Sequence, residues 1–191
     1  QIKGLPERVL ELMALSAQKH LKKEGTVDSQ NGPWKLSLDI PTYTAFMSYS
    51  EDRSLRETLY KAFVSRASNG SENNTQIIEE ILTLRTKQSK LLGYESWADL
   101  SLSTKMASKT DNVEKLLEEL REPSFRAAEL ELKNLNNFAH KNGFNTDNQL
   151  QPWDISYWSE LLRKEKFNLD QEALRPWFPL EDVLKGLFRL C

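Results

Sequence analysis

Thr75-Gln76-Ile77-Ile78-Glu79-Glu80-Ile81-Leu82-Thr83-Leu84-Arg85-Thr86-Lys87-Gln88-Ser89-Lys90-Leu91-Leu92-Gly93 is the stretch that decides the fold class. Its apolar residues (Ile77, Ile78, Ile81, Leu82, Leu84, Leu91) recur at helical rather than alternating spacing, and Gly93 stands at the C′ position, where only glycine takes a left-handed backbone without penalty. The spacing predicts a helix over 75–92.

Its neighbours read the same way. Val9, Met13, Ala17 and Leu21 trace one face of a first helix from Leu5 to Lys23. Tyr43, Phe46 and Met47 mark a short helix over 42–50, and Leu55, Leu59 and Phe63 another over 52–68. Ser96 to Leu102 forms a further short helix. Thr110 or Asp111 caps a helix striped by Val113, Leu116, Leu117 and Leu120. Pro123 must kink or break that helix, because proline lacks an N–H and clashes with the preceding turn. The pattern resumes at Phe125 and closes at Gly143. Asp154 caps a helix bearing Ile155, Trp158, Leu161 and Leu162, and a short turn near Asp170 leads to a last helix after Pro179.

One segment breaks the helical rule. Trp34-Lys35-Leu36-Ser37-Leu38-Asp39-Ile40 alternates apolar and polar residues strictly, the signature of a strand that Pro41 would end. The expected class is mainly α with one short β-strand near 34–40. We expect a single helical region over 1–191 with a flexible, turn-rich loop at 24–33.

Composition excludes several functions. The 26 basic and 28 acidic residues are interleaved and give a net charge of −2, unlike the clustered cations of a nucleic-acid surface. No apolar run approaches the roughly 20 residues that span a bilayer. The single cysteine, Cys191, excludes an intrachain disulfide and suits a reducing compartment. It also lies on the apolar stripe of the last helix (Val183, Leu184, Leu187, Phe188), which favours a core position. That helix ends on its apolar face with no glycine, polar cap or proline after it, and the chain opens on Gln1. The expectation is an excised or truncated portion of a larger protein.

Catalytic constellations are scarce. His20 and His140 stand far apart, each alone on its helix, whereas zinc needs several imidazoles, thiolates or carboxylates at close spacing. No phosphate-binding glycine loop or nucleophile elbow occurs. The aromatic residues are more suggestive. Trp153, Tyr157 and Trp158 cluster at one helix start, and Trp177 with Phe178 lies between two prolines. They would either line a peptide-binding wall or pack helices together.

Several segments also follow one another in a telling order. They include Gly4-Leu5-Pro6-Glu7, Gly32-Pro33-Trp34 through Pro41-Thr42-Tyr43, Arg53-Ser54-Leu55-Arg56-Glu57 and Lys90-Leu91-Leu92-Gly93-Tyr94. Ser103-Thr104-Lys105-Met106-Ala107, Trp153-Asp154-Ile155-Ser156-Tyr157-Trp158 and Leu174-Arg175-Pro176-Trp177-Phe178-Pro179-Leu180 continue the series. Together the chain resembles the oligopeptidase A and thimet oligopeptidase family of zinc metallopeptidases.

The resemblance implies a multi-helix scaffold lobe of a zincin-type endopeptidase whose channel admits short peptides. In that family zinc is held by a His-Glu-x-x-His helix and a downstream glutamate, and the motif glutamate serves as general base. Those residues lie C-terminal to the stretch matched here. The resemblance therefore assigns no catalytic or metal residue, and no cofactor, to this chain, and leaves zinc to the full-length protein. The expected function is that of a portion of a zinc oligopeptidase, inactive by itself. The alternatives are a non-catalytic helical protein that self-associates through uncovered apolar surface, and a peptide-binding module. Short peptides are the implied partners of the full-length form; nucleic acid and membrane are not expected. Location would be cytoplasmic, or plastid or mitochondrial after removal of a transit peptide.

Overall fold

A computed structural model describes residues 2–21, 28–144, 149–168 and 171–191. Nine α-helices run through the described residues: α1 (Glu7–Leu21), α2 (Ile40–Tyr49), α3 (Arg53–Val64), α4 (Thr75–Leu91), α5 (Trp97–Leu102), α6 (Thr110–Lys141), α7 (Pro152–Phe167), α8 (Gln171–Leu174) and α9 (Leu180–Leu190). Two 3₁₀ turns, Gly70–Glu72 and Arg175–Trp177, join them. The chain divides into two compact units, Gln1–Phe63 with Leu135–Cys191, and Val64–Asn134. The loop expected at 24–33 lies partly outside the described residues, as do Lys23 and Asp170.

The first unit has two apolar clusters. In one, Val9 and Met13 of α1 meet Phe46 and Met47 of α2 and Leu59 of α3, all buried. Ala17 is buried too, whereas Leu21, at the end of the same stripe, is 47% exposed. The other cluster joins Leu135 and Ala139 at the end of α6 to Phe144, Leu150 and Trp158 of α7.

The alternating segment is corrected here, because residues 34–38 form no strand and pair with none among the described residues. Lys35 instead donates its N–H to the carbonyl of Met13 on α1 at 2.9 Å. Trp34, Leu36 and Leu38 pack on the first cluster. Alternation is expected to report one buried side and one solvated side; here helices cover Trp34, Leu36 and Leu38 in place of a sheet, while Ile40 is 60% exposed.

Pro41 also opens a helix rather than closing a strand. It lies in the first turn of α2, where its missing N–H costs nothing, and Asp39 caps that turn by accepting from the Thr42 N–H at 3.1 Å. Asp39→Ala is expected to lower the stability of this unit by about 1 kcal/mol, read from the midpoint of urea unfolding. An unchanged midpoint would show that the cap is dispensable.

Pro123 does not break its helix, since α6 continues through it. Proline removes a single N–H from the ladder, while the amphipathic pattern persists on both sides of it. Asp154 is not the cap of α7 either. Gln151 holds that position, Pro152 begins the helix, and Asp154 sits at N3, where its carboxylate accepts from the Gln151 N–H at 3.1 Å.

In the second unit, α4 packs on α5, and the Arg85 guanidinium lies 5.3 Å over the Trp97 ring. Gly93 closes α4 with φ +81°, as the sequence predicts. Ser96 caps α5 by accepting from the Asp99 N–H at 3.1 Å.

Candidate functional site

The polar centre of the first unit is built where α7 begins. Asp154 is wholly buried and Arg56 is 2% exposed. Arg53, one turn before Arg56 on α3, grips the Asp154 carboxylate from Nε at 2.9 Å and Nη2 at 2.8 Å. Arg56 adds Nη2 at 3.1 Å, then donates Nη1 to the Ser50 carbonyl at 2.7 Å and Nε to the Trp153 carbonyl at 3.0 Å. Every nitrogen of the buried guanidinium is thereby used, which is the condition for burying a charge without a large penalty.

Burial alone would push the Asp154 carboxyl up. Hydrogen bonds from Arg53, the Gln151 N–H and Arg56 outweigh it, so the group sits below the usual carboxylate range. Burial pulls the Arg56 guanidinium down, against its bonds to Asp154. Burial and the Glu51 charge push the Tyr157 phenol up, with Arg56 opposing.

Aromatic rings enclose the charges. Arg56 lies 4.4 Å over the Tyr157 ring, and Arg53 5.5 Å over Phe144 and 5.8 Å over Trp153. Trp158 is met edge-on by Tyr157 at 5.3 Å, Phe144 at 6.0 Å and Phe138 at 6.3 Å. The structure thus brings Trp153, Tyr157 and Trp158 together around α7, with Trp158 buried in the second cluster. Trp177 and Phe178 are 79% and 67% exposed. Cys191, expected in a core, is exposed as well. The apolar residues of α9 are uncovered on the same stripe, so no core forms there.

Beside this centre, α2 and α7 border a groove of about 670 Å³. Ile40, Pro41, Thr44 and Tyr49 form one side, Ser156, Ser159, Glu160 and Arg163 the other, and Arg8 reaches in from α1. Glu160 is buried and accepts from Arg163. Its second oxygen and the Nε groups of Arg8 and Arg163 have no protein partner. The lining contains hydroxyls but no histidine or cysteine.

The matched family decides what the helices belong to. The sequence pattern of peptidase family M3 matches residues 46–191. The chain belongs to this family. It is 42% identical over its whole length to the probable cytosolic oligopeptidase A of Arabidopsis thaliana, of which it covers 27%. It is 41% identical to the organellar (chloroplastic/mitochondrial) oligopeptidase A of the same plant, of which it covers 24%. The oligopeptidase A of Escherichia coli is 38% identical and 27% covered. The chain spans about a quarter of the length of these metallopeptidase relatives.

The described residues do not fit a zinc ion. Zinc requires three or four close N, S or O donors, and no group of three His, Cys, Asp or Glu side chains among them is so arranged. His140 spends its ring edge-on against Phe144 at 5.3 Å. Nor is any helix among them long and apolar enough to cross a membrane.

Sequence reading missed the Arg53–Arg56–Asp154 centre. Its only local signal is two arginines one helical turn apart, a pattern that a solvated face shows equally well.

Proposed function

We propose that this chain is a portion of a zinc oligopeptidase that cleaves short peptides in its full-length form, and that the portion alone is catalytically silent. The observation that carries the reading is the 42% identity over all 191 residues combined with coverage of only 27% of that relative. A likeness spread over every element marks shared architecture, and the small share leaves most of the enzyme elsewhere. In this reading the helices supply scaffold, and Trp177 and Phe178, both exposed, line part of a peptide channel, whereas Trp158 packs the interior. The zinc ligands belong to polypeptide outside this stretch. The compartment is the cytosol or an organelle, following the two plant relatives.

The test is zinc content by mass spectrometry together with cleavage of a short quenched fluorescent peptide by the purified chain. Substoichiometric zinc and no chelator-sensitive cleavage are expected. Stoichiometric zinc with chelator-sensitive turnover would overturn the reading and return His20, His140 and nearby carboxylates to consideration as ligands.

A further inference from the structure

Within the first unit, the groove bordered by α1, α2 and α7 has polar walls whose charges and hydrogen bonds do not balance. Arg8, in the first turn of α1, has no hydrogen bond or ion pair among the described residues. Its Nε is buried, so the protein covers the root of the guanidinium and supplies it no anion. On α7, Glu160 is 6% exposed and gives one oxygen to Arg163, while its other oxygen is unfilled. Arg163 likewise leaves its Nε without a partner. Buried polar groups in folded proteins are almost always paired. Three unpaired ones on residues lining a single groove point to a molecule that supplies the missing partners.

These groups define its chemistry. Arg8 and Arg163 are the cations of the lining and Glu160 its carboxylate, so positive charge is in excess. The arginines need acceptors, and Glu160 needs a donor. A carboxylate beside an N–H offers both, and a guanidinium accepts a carboxylate through parallel N–H bonds. A phosphate fits worse, because its further negative charge would stand near Glu160. The exposed hydroxyls of Ser156 and Ser159 add donors, and Ile40, Pro41 and Tyr49 give apolar surface for a side chain. At about 670 Å³ the groove lies in the usual range for small-molecule sites.

We propose that this groove binds a small carboxylate carrying an adjacent N–H, either a free amino acid or the C-terminal residue of a peptide, with the carboxylate on Arg8 and the N–H toward Glu160. Binding here involves no zinc and no turnover, so the proposal stands or falls apart from the reading of the chain as a portion of a peptidase.

The test follows backbone amide signals of the isotope-labelled 191-residue chain by NMR during titration with leucine, N-acetyl-leucine, N-acetyl-leucine methyl ester, isocaproate and inorganic phosphate. Leucine or N-acetyl-leucine is expected to shift signals of α7 and of the starts of α1 and α2 at a Kd of ~1 mM or below. The ester lacks the anion and isocaproate lacks the N–H, and each binds ~10-fold more weakly. Arg8→Gln lowers affinity for the preferred acid ~10-fold or more, with the midpoint of urea unfolding unchanged. The ester and isocaproate test the same contacts in wild type, whatever the variant does to stability. Tighter binding of leucine identifies the ligand as a free amino acid, and tighter binding of N-acetyl-leucine as a peptide end. The proposal is overturned by the absence of shifts around this groove, or by equal affinity for the acid and its ester. Undiminished binding by Arg8→Gln overturns it too, as does a preference for phosphate.

Discussion

Replacing Asp154 with alanine is expected to destabilise the first unit by about 3–5 kcal/mol, because it strands the buried Arg56 cation without its anion. The carboxylate receives Arg53, Arg56 and the Gln151 N–H together. Its removal therefore breaks the tie between α3 and α7 and leaves the Gln151 N–H at the start of α7 without its acceptor. Asp154→Asn keeps the volume and one acceptor but not the charge, and falls between wild type and the alanine variant. Removing both charges, as in Arg56→Met with Asp154→Leu, is expected to recover much of the loss, since well-packed apolar replacements for a buried pair are often neutral. Urea unfolding followed by tryptophan fluorescence reads all four proteins. A loss below about 1 kcal/mol in the alanine variant would show that the centre contributes little.

The same centre sets an acid limit. The folded Asp154 carboxyl titrates below its ordinary value, so the unfolded chain binds the proton more readily than the folded one. The contribution is complete above the unfolded value of about 4 and is lost as pH falls through the lower folded value. Stability of wild type therefore drops more steeply below about pH 4 than that of the double apolar variant. Parallel acid profiles would sink this assignment.

The features of the fold legible in the sequence are those that depend on neighbours along the chain. The end of α4 at Gly93 follows from one glycine and a periodic stripe, and the α9 stripe follows from Val183, Leu184, Leu187 and Phe188. Of the Trp34–Ile40 alternation, Trp34, Leu36 and Leu38 do pack on the first cluster whereas Ile40 is 60% exposed, and the pattern does not say what covers its apolar residues, because a helix and a strand present equally apolar surfaces. Asp154 shows the limit most clearly. Its position near a helix start is visible locally, whereas its partners Arg53 and Arg56 are 101 and 98 residues away. Family membership became legible through the ordered segments from Gly4 to Leu180, which carry information that periodicity does not. The candidate aromatics read as one set in the sequence, because composition does not separate a packed tryptophan from an exposed one.

That separation yields the second large effect. Trp158→Ala is expected to cost about 3–5 kcal/mol, the usual range for emptying a large aromatic site. The indole is 7% exposed and fills the space between Leu135, Ala139, Phe144 and Leu150. Three rings meet it edge-on, and each adds attraction beyond the area it buries. Trp158→Phe keeps a ring in that space and removes an indole N–H that has no protein partner, so it costs markedly less. Trp177→Ala removes a side chain that is 79% exposed and should change stability by no more than about 0.5 kcal/mol. A channel-wall role for Trp177 then becomes testable apart from folding, as a loss of peptide affinity in an assembled enzyme whose unfolding midpoint is unchanged. Equal stability losses at the two tryptophans would mean that Trp177 is packed in solution, and would remove it from any channel. A Trp158→Ala variant as stable as wild type would instead place the second cluster outside the folded core.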